Sequence, residues 1–317
     1  MFKKILFKLS RSFVKLLLPC FSSLFIRLKI NKRIANYLND KSSVANNYYN
    51  FSNIIKKKLN DKKILALDVG AQGGFNSDNF FAKKYNIFFE PILVEPIKSE
   101  AKKLNVNNKY VIEGGIWSKQ TKKKIYILNN RLGSSSMYRP DPSSFNVHGI
   151  KKKDYKDYEI TESIEIDCNS LDVSLKNLKI DKLDYLKVDT QGAELEILNG
   201  IGAYRPLLIK IEAHIFSMYK EVPNWTELLN YLHKLNYIVI DWKGIGSHIT
   251  RIPAEMEMIF IPNFKNKEGR DLIIANENKF VSLMLIFGQL DLLKIISDTC
   301  KLSSSNEVDS FEDRFFN

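Results

Sequence analysis

The chain has 317 residues, of which 44% are hydrophobic, so it can bury a full core and is too apolar to be disordered throughout. Its formal net charge is +12, and residues 1–33 hold nine Lys or Arg and no Asp or Glu. The three cysteines Cys20, Cys168 and Cys300 are far apart, which argues against a disulfide framework or a structural zinc site and favours a reducing cytoplasm.

Residues 1–60 form a basic extension in which the first segment is amphipathic. Lys4, Lys8, Arg11 and Lys15 share one face of a helix, and apolar side chains occupy the other face. The apolar stretch is too short to span a bilayer. We therefore predict peripheral contact of residues 1–30 with the inner face of a membrane, and a helix that packs on its own domain is the open alternative.

A domain over residues 61–262 is indicated by strands that alternate with helices. The strands are predicted at 63–68, 92–95, 110–113, 183–189, 207–212, 237–242 and 257–261, and the helices at 77–85, after Pro96, at 192–199 and at 225–235. This order is typical of a Rossmann-like α/β fold with a seven-stranded, mainly parallel sheet and helices on both faces.

An insertion separates the third and fourth of these strands. Residues 124–128 and 163–167 are predicted to pair as an antiparallel hairpin, and residues 131–158 between them form a long loop suited to a lid. Its Ser134, Ser135, Tyr138 and Arg139 offer polar groups for a substrate. Residues 263–317 are predicted to be an appendage with one or two helices over 279–301 and a polar, acidic tail.

A glycine-containing turn follows the first strand. It carries Asp68, Gly70, Gln72 and Gly74, and glycine allows backbone N–H groups to approach a ligand at the strand ends. The dinucleotide and phosphate-loop patterns both fail. The spacing instead matches the acid-x-Gly-x-x-x-Gly cofactor loop of S-adenosylmethionine-dependent methyltransferases, and a plain strand-to-helix turn is the alternative.

Two later positions extend this predicted cofactor site. Glu95 ends the second strand, where a carboxylate can accept hydrogen bonds from both ribose hydroxyls. Gly115 and Trp117 follow the third strand in a loop beside the same crevice. Ile116 or Trp117 could flank an adenine ring, while Trp117 as an ordinary core residue is the alternative.

The segment from Leu186 to Gly200, read as LKVDTQGAELEILNG, is the most distinctive one in the chain. It resembles the signature of the FkbM-type methyltransferases, as do the run from Asp68 to Gln72 and the run from Val94 to Pro96. Gln72 departs from the Asn that is usual in that family. The resemblance covers about residues 62–262 and implies an S-adenosylmethionine enzyme, generally an O-methyltransferase that acts on sugars or other hydroxyl acceptors.

Three residues are candidates for the chemistry of methyl transfer. Asp189 ends a central strand and could bind the methionine ammonium, orient the acceptor or act as base. Glu212 and His214 end the next strand on one side, and His214 is the candidate general base. A divalent metal held by these three residues is a weaker alternative, and the prediction is made without a metal.

Three rival functions remain open at this point. A nucleic-acid methyltransferase is suggested by the basic balance, but Asp189-Thr-Gln-Gly stands where adenine and cytosine enzymes carry an [ND]-P-P-[YF] run. A non-catalytic membrane-associated binding protein could keep the same fold. A nicotinamide oxidoreductase is disfavoured by the glycine spacing.

Overall fold

A computed structural model describes residues 50–243 and 254–303 of the chain. Contacts between residues divide it into two compact units, one built from residues 64–77 and 89–272 and the other from the remaining described residues. The predicted amphipathic helix and the acidic tail beyond 303 lie outside the described residues. The three-part division at 1–60, 61–262 and 263–317 stays a prediction.

The described residues of the first unit form ten strands. They are β1 (Ile64–Val69), β2 (Phe89–Glu95), β3 (Tyr110–Glu113), β4 (Gly115–Trp117), β5 (Thr121–Leu128), β6 (Ile160–Ser170), β7 (Tyr185–Val188), β8 (Leu208–His214), β9 (Tyr237–Lys243) and β10 (Glu255–Pro262).

Seven of these strands form the main sheet, in the order β3-β2-β1-β7-β8-β10-β9. The first five are parallel, and β10 runs antiparallel to both of its neighbours. All seven predicted strands are confirmed, and the protein has the Rossmann-like α/β fold. The strand order places the ends of β1 and β7 next to each other, where the chain crosses from one half of the sheet to the other, and such a crossover point creates a crevice for a ligand.

The helices are α1 (Ser52–Leu59), α2 (Lys98–Asn105), α3 (Leu171–Asn177), α4 (Glu194–Asn199), α5 (Trp225–Lys234), α6 (Lys267–Ala275), α7 (Glu277–Ile286) and α8 (Leu290–Cys300). The helices predicted after Pro96, at 192–199 and at 225–235 correspond to α2, α4 and α5. A capping box begins α5, since the Asn224 side chain accepts from the backbone of the first turn and Glu227 reaches back to the Asn224 N–H. The helices α3 and α6 had no sequence prediction.

The insertion forms a second sheet in the order β4-β6-β5. The predicted hairpin is confirmed, because β5 and β6 pair antiparallel with Lys124 opposite Glu165. The segment 115–117 was predicted as a loop, and that prediction is wrong, because β4 pairs in parallel with Cys168–Ser170. The predicted loop 131–158 contains three short 3-10 helices.

The second unit is helical, with α1, α7 and α8 and a 3-10 helix over Lys83–Phe88. Phe81 and Phe287 pack with ring centres 5.3 Å apart, and α7 is buried from Phe280 to Ile286. The two helices α7 and α8 confirm the prediction over 279–301. No helix among the described residues is long and apolar enough to cross a membrane.

The helix predicted over 77–85 is wrong. The chain there turns, with Asn76 and Asn79 both at positive φ, and becomes regular only in the 3-10 helix that starts at Lys83. Asn tolerates the left-handed conformation and its side chain competes with helical hydrogen bonds, so this Asn-rich segment favours turns.

Candidate active site

A cleft lies at the carboxyl ends of β1, β2 and β7. Its walls come from five segments of the first unit and from Ile125 in β5. The residues that line it include Gly70, Gln72, Glu95, Gly115, Ile116, Gly133, Ser135, Met137, Asp189, Thr190 and Gln191.

Gly70 makes the wall at the end of β1 out of backbone alone. Its φ is +86°, and a Cβ at this position would overlap the carbonyl oxygen of Asp189. The N–H groups of Gly70 and Ala71 both donate to the Val94 carbonyl, at 3.2 and 3.1 Å. Only glycine fits this turn, because both the conformation and the space exclude a side chain.

The other predicted residues of this turn are placed differently. Gln72 lines the cleft and lies against Gly133, whose Cβ, if present, would be 2.7 Å from Gln72 Oε1. Gly74 lies outside the lining and has a φ of +96°, so it serves the turn. Asp68 is also outside the lining, because its buried carboxylate points to Lys187, whose Nζ lies 3.1 Å from Oδ1.

Glu95 lines the cleft at the end of β2 and is almost fully buried. Its Oε1 accepts a hydrogen bond from the Ile97 N–H at 2.9 Å. Burial raises the pKa of this carboxyl to about 7, with the Ile97 hydrogen bond opposing the shift and the charge of Glu100 adding to it. The side chain is therefore poised to gain from a ligand that donates hydrogen bonds.

The segment after β3 contributes Gly115 and Ile116 to the cleft. A Cβ on Gly115 would overlap Cys168 Sγ, so glycine is needed for β4 to pair with β6. Trp117 does not line the cleft. It is buried against Tyr138, with ring centres 6.1 Å apart, and Lys123 Nζ lies 3.8 Å from its ring centre.

The beginning of the long loop, residues 132–137, covers one side of the cleft. Ser136 Oγ donates to the Gln191 carbonyl at 2.7 Å and ties this segment to the turn after β7. Of the four polar loop residues proposed for a substrate, Ser135 lines the cleft, whereas Ser134, Tyr138 and Arg139 do not.

Asp189, directly after β7, lines the cleft next to Gln191. Gln191 Nε2 donates to Asp189 Oδ1 at 3.1 Å and to Glu212 Oε2 at 2.6 Å, so one amide connects two carboxylates. Burial raises the pKa of Glu212 well above its usual range, and the charge of Asp189 raises it further. Glu194 does not join this pair, since its Oε1 accepts from Thr190 and Gly192 and holds the turn.

His214 lies beside Glu212, as the alternation along β8 predicted, with Nε2 3.7 Å from Glu212 Oε2. Neither residue lines the main cleft. Both line a smaller cavity of about 270 Å³ before α5. The imidazole is buried, and neither ring nitrogen has a hydrogen-bond partner in the described part of the chain.

The alternative of a metal site concerned Asp189, Glu212 and His214. In residues 50–243 and 254–303, no group of three or more His, Cys, Asp or Glu side chains is arranged to hold a metal ion. The amide of Gln191 occupies the space between Asp189 and Glu212 that a cation would need.

Sequence reasoning missed three residues that organise this site, namely Lys187, Gln191 and Tyr219. Lys187 carried a signal, because a lysine in the middle of a buried strand requires a buried acid. Gln191 stands in the distinctive segment, whose predicted chemistry rested on Asp189. Tyr219, whose hydroxyl lies 3.0 Å from Gln191 Oε1, lies outside every motif and carried no signal.

The Rossmann-like sheet, the glycine turn and the acid at the end of β2 are together typical of an α/β enzyme that binds a nucleoside cofactor. A family model for the FkbM methyltransferase domain matches residues 68–239, and the chain belongs to this family. No curated protein matches the chain. Among solved structures, the methyltransferase domain of bacterial CtHen1-C is similar, with 12% identity, a TM-score of 0.30, and coverage of 67% of this chain and 96% of that one.

Proposed function

We propose that the protein is an S-adenosylmethionine-dependent O-methyltransferase whose acceptor is a hydroxyl-bearing small molecule or a glycan. The observation that carries the proposal is one cleft that combines a turn without side chains at Gly70 with a buried carboxyl at Glu95. A nucleoside needs both features, because its ribose hydroxyls donate hydrogen bonds and its bulk requires close approach to the backbone.

The donor would be held by residues that line this cleft. Glu95 would accept from the ribose hydroxyls, and Ile116 and Ile97 offer apolar contact for an adenine ring. Asp189 would attract the methionine ammonium. Asp68 would act indirectly, since its carboxylate orients Lys187, whose Nζ also lies 3.7 Å from Asp189 Oδ2. Gly74 would shape the turn, and Trp117 would support the wall from behind.

Bound S-adenosylmethionine would supply an electrophilic methyl group on a sulfonium. The acceptor oxygen would take this methyl group, the electron pair of the broken carbon–sulfur bond would stay on sulfur, and the acceptor proton would pass to a base. Alignment of acceptor and donor supplies much of the acceleration in such a displacement. The loop segment 132–137 would exclude water from the cleft.

The base would come from the group of acids and imidazole at the ends of β7 and β8. His214 is our candidate, since a buried imidazole without a hydrogen-bond partner among the described residues is free to accept a proton. Glu212 at 3.7 Å would stabilise the imidazolium that results.

The basic N-terminal segment supports a second part of the proposal, that residues 1–30 bring the enzyme to the anionic inner face of a membrane. A glycan acceptor carried on a lipid would suit such a location. Flotation with anionic and neutral vesicles tests this part. The full chain should bind the anionic vesicles and not the neutral ones, and removal of residues 1–30 should abolish this binding. Unchanged partitioning of the truncated protein would remove it.

Calorimetry with S-adenosylmethionine and S-adenosylhomocysteine tests the core of the proposal, followed by an acceptor screen with a labelled methyl donor. We expect both nucleosides to bind and NAD not to bind. Tight NAD binding without uptake of either nucleoside would overturn the proposal. Donor binding without turnover on any hydroxyl acceptor would favour a non-catalytic protein instead.

A further inference from the structure

Each polar atom of the Gln191 side chain lies within hydrogen-bond distance of a neighbouring group. Its amide nitrogen has two hydrogens, and these point to Asp189 Oδ1 at 3.1 Å and Glu212 Oε2 at 2.6 Å. Its carbonyl oxygen lies 3.0 Å from the Tyr219 hydroxyl, which in turn lies 2.7 Å from the Ser134 carbonyl. The amide therefore connects the two acids to the loop that covers the cleft.

The chemistry of the amide suits this position. Two carboxylates that share one neighbour repel each other, and an amide N–H donated to each stabilises both in their charged form. A carboxylate at position 191 would instead bring three acids together. A methyl-ended side chain of similar length would leave the two carboxylates without these donors.

The backbone of residue 191 ties the same residue to the cover of the cleft. Its carbonyl accepts from Ser136 Oγ at 2.7 Å, and the same Ser136 Oγ accepts from the Tyr138 N–H at 3.0 Å. Gln191 has a φ of +62°, a conformation that side chains rarely adopt, so these contacts hold a turn that the sequence alone disfavours.

We propose that Gln191 is a positioning residue that fixes the Asp189 and Glu212 carboxylates in one arrangement for donor binding and links this arrangement to the loop over the cleft. This inference rests on the proposed function for the identity of the donor. Asp189 faces the cleft and Glu212 faces the smaller cavity, so Gln191 stands between the donor side and the candidate base.

The ionisable groups around Glu212 define what a pH measurement will report. These groups are Asp189 after β7, Glu194 in α4, His214 on β8, Glu255 on β10 and Tyr219 in the segment before α5. Lys187 faces Asp189 from β7. Replacement of Gln191 leaves all of these groups in place, so a change in titration reports the loss of the amide.

Gln191→Met is the test, with Gln120→Met on an exposed residue as the matched control. Infrared difference spectra that follow the protonated carboxyl band will give the titration midpoint of the acid pair, assigned with Asp189→Asn and Glu212→Gln. We expect Gln191→Met to raise this midpoint by about one pH unit. Calorimetry at neutral pH should show S-adenosylmethionine affinity about tenfold weaker. Gln120→Met should match the wild type in both measurements.

Gln191→Asn keeps the experiment decisive if the Met variant does not fold. Asn is at home in the left-handed conformation, but its shorter side chain cannot reach both carboxylates. It should therefore fold and show a smaller shift in the same direction.

An unchanged midpoint in a folded variant, or a shifted midpoint with unchanged donor affinity, would overturn the inference. A different result is that the wild-type protein binds no donor while Gln191→Met still shifts the titration midpoint of the acid pair. That result would overturn the proposed function and with it the donor-binding role of Gln191.

Discussion

Asp68 and Lys187 stand opposite each other on the neighbouring strands β1 and β7, and Lys187 Nζ lies 3.1 Å from Asp68 Oδ1. Both side chains are buried, with Asp68 1% and Lys187 5% exposed. The same Nζ lies 3.7 Å from Asp189 Oδ2 in the cleft wall. Lys187 therefore connects Asp68, at the start of the glycine turn, to Asp189 in the cleft wall.

Lys187→Met should destabilise the protein by about 3–5 kcal/mol, because it leaves the buried Asp68 carboxylate without its cation. Urea denaturation measures the change. The double variant Asp68→Asn with Lys187→Met should recover part of the loss, since it removes both charges. Lys122→Met is the matched control on the exposed Lys122–Glu165 pair and should change stability little. Equal effects at positions 187 and 122 would contradict the buried-pair interpretation.

Gly70→Ala should abolish donor binding, because the new methyl group would overlap the Asp189 carbonyl and the φ of +86° disfavours any side chain. Gly74→Ala is the matched control. Its φ of +96° carries a similar backbone cost, but the nearest atom to the added Cβ is Leu104 Cδ2 at 3.9 Å. Calorimetry with S-adenosylmethionine and thermal unfolding will separate the two. Comparable losses of donor affinity in both variants would mean that backbone strain, and not overlap with the Asp189 carbonyl, causes the effect at Gly70.

The sheet could be predicted from the sequence because each strand is a buried apolar run bounded by polar turns. The period of the apolar residues fixes which segments are strands, and the alternation with helices makes them mostly parallel. The helix predicted at 77–85 was wrong because the apolar residues of that segment have no clear period. The strand β4 could not be found, because three residues carry too little pattern and its pairing with β6 is a long-range contact.

The candidate site could be predicted at positions where the geometry depends on a single side chain or, as at glycine, on the lack of one. Gly70 and Glu95 belong to local strand-and-turn patterns and both line the cleft. Trp117 and Asp68 do not line it, because the direction of a side chain depends on partners from β5, β7 and the loop that follows β5. Asp189 and His214 line different cavities, and the contact of Gln191 with Glu212 between them in the chain exists only once β7 and β8 are paired.

The raised pKa of Glu95, about 7, has consequences for both stability and binding. The folded state holds this proton more tightly than the unfolded chain, so stability from this group is present below the ordinary value of 4.5 and is lost as pH rises to about 7. Donor binding has the opposite dependence, because ribose hydroxyls donate to the ionised form. We expect affinity for S-adenosylhomocysteine to increase as pH rises through about 7, measured by calorimetry from about pH 5.5 to about pH 8.5.

Glu95→Gln is the control for this titration. It keeps the shape of the side chain and removes the charge, so affinity should be lower at high pH and the pH dependence near 7 should disappear. A wild-type affinity that is flat across this range, or a Gln variant with the same slope, would show that Glu95 does not hold the donor.

His214→Gln and Asp189→Asn should separate proton transfer from donor binding. His214 lies outside the main cleft, so His214→Gln should leave S-adenosylmethionine affinity unchanged while kcat on an identified acceptor falls about a hundredfold or more. Asp189 lines the cleft, so Asp189→Asn should weaken donor binding as well as lower kcat. Calorimetry and initial rates on the same preparations measure both quantities, with thermal unfolding as the check on folding. If His214→Gln retains full methyl transfer, the base must be Glu212 or Asp189 instead. If Asp189→Asn retains both full donor binding and full methyl transfer, the methyl group is not transferred in the cleft at the end of β7.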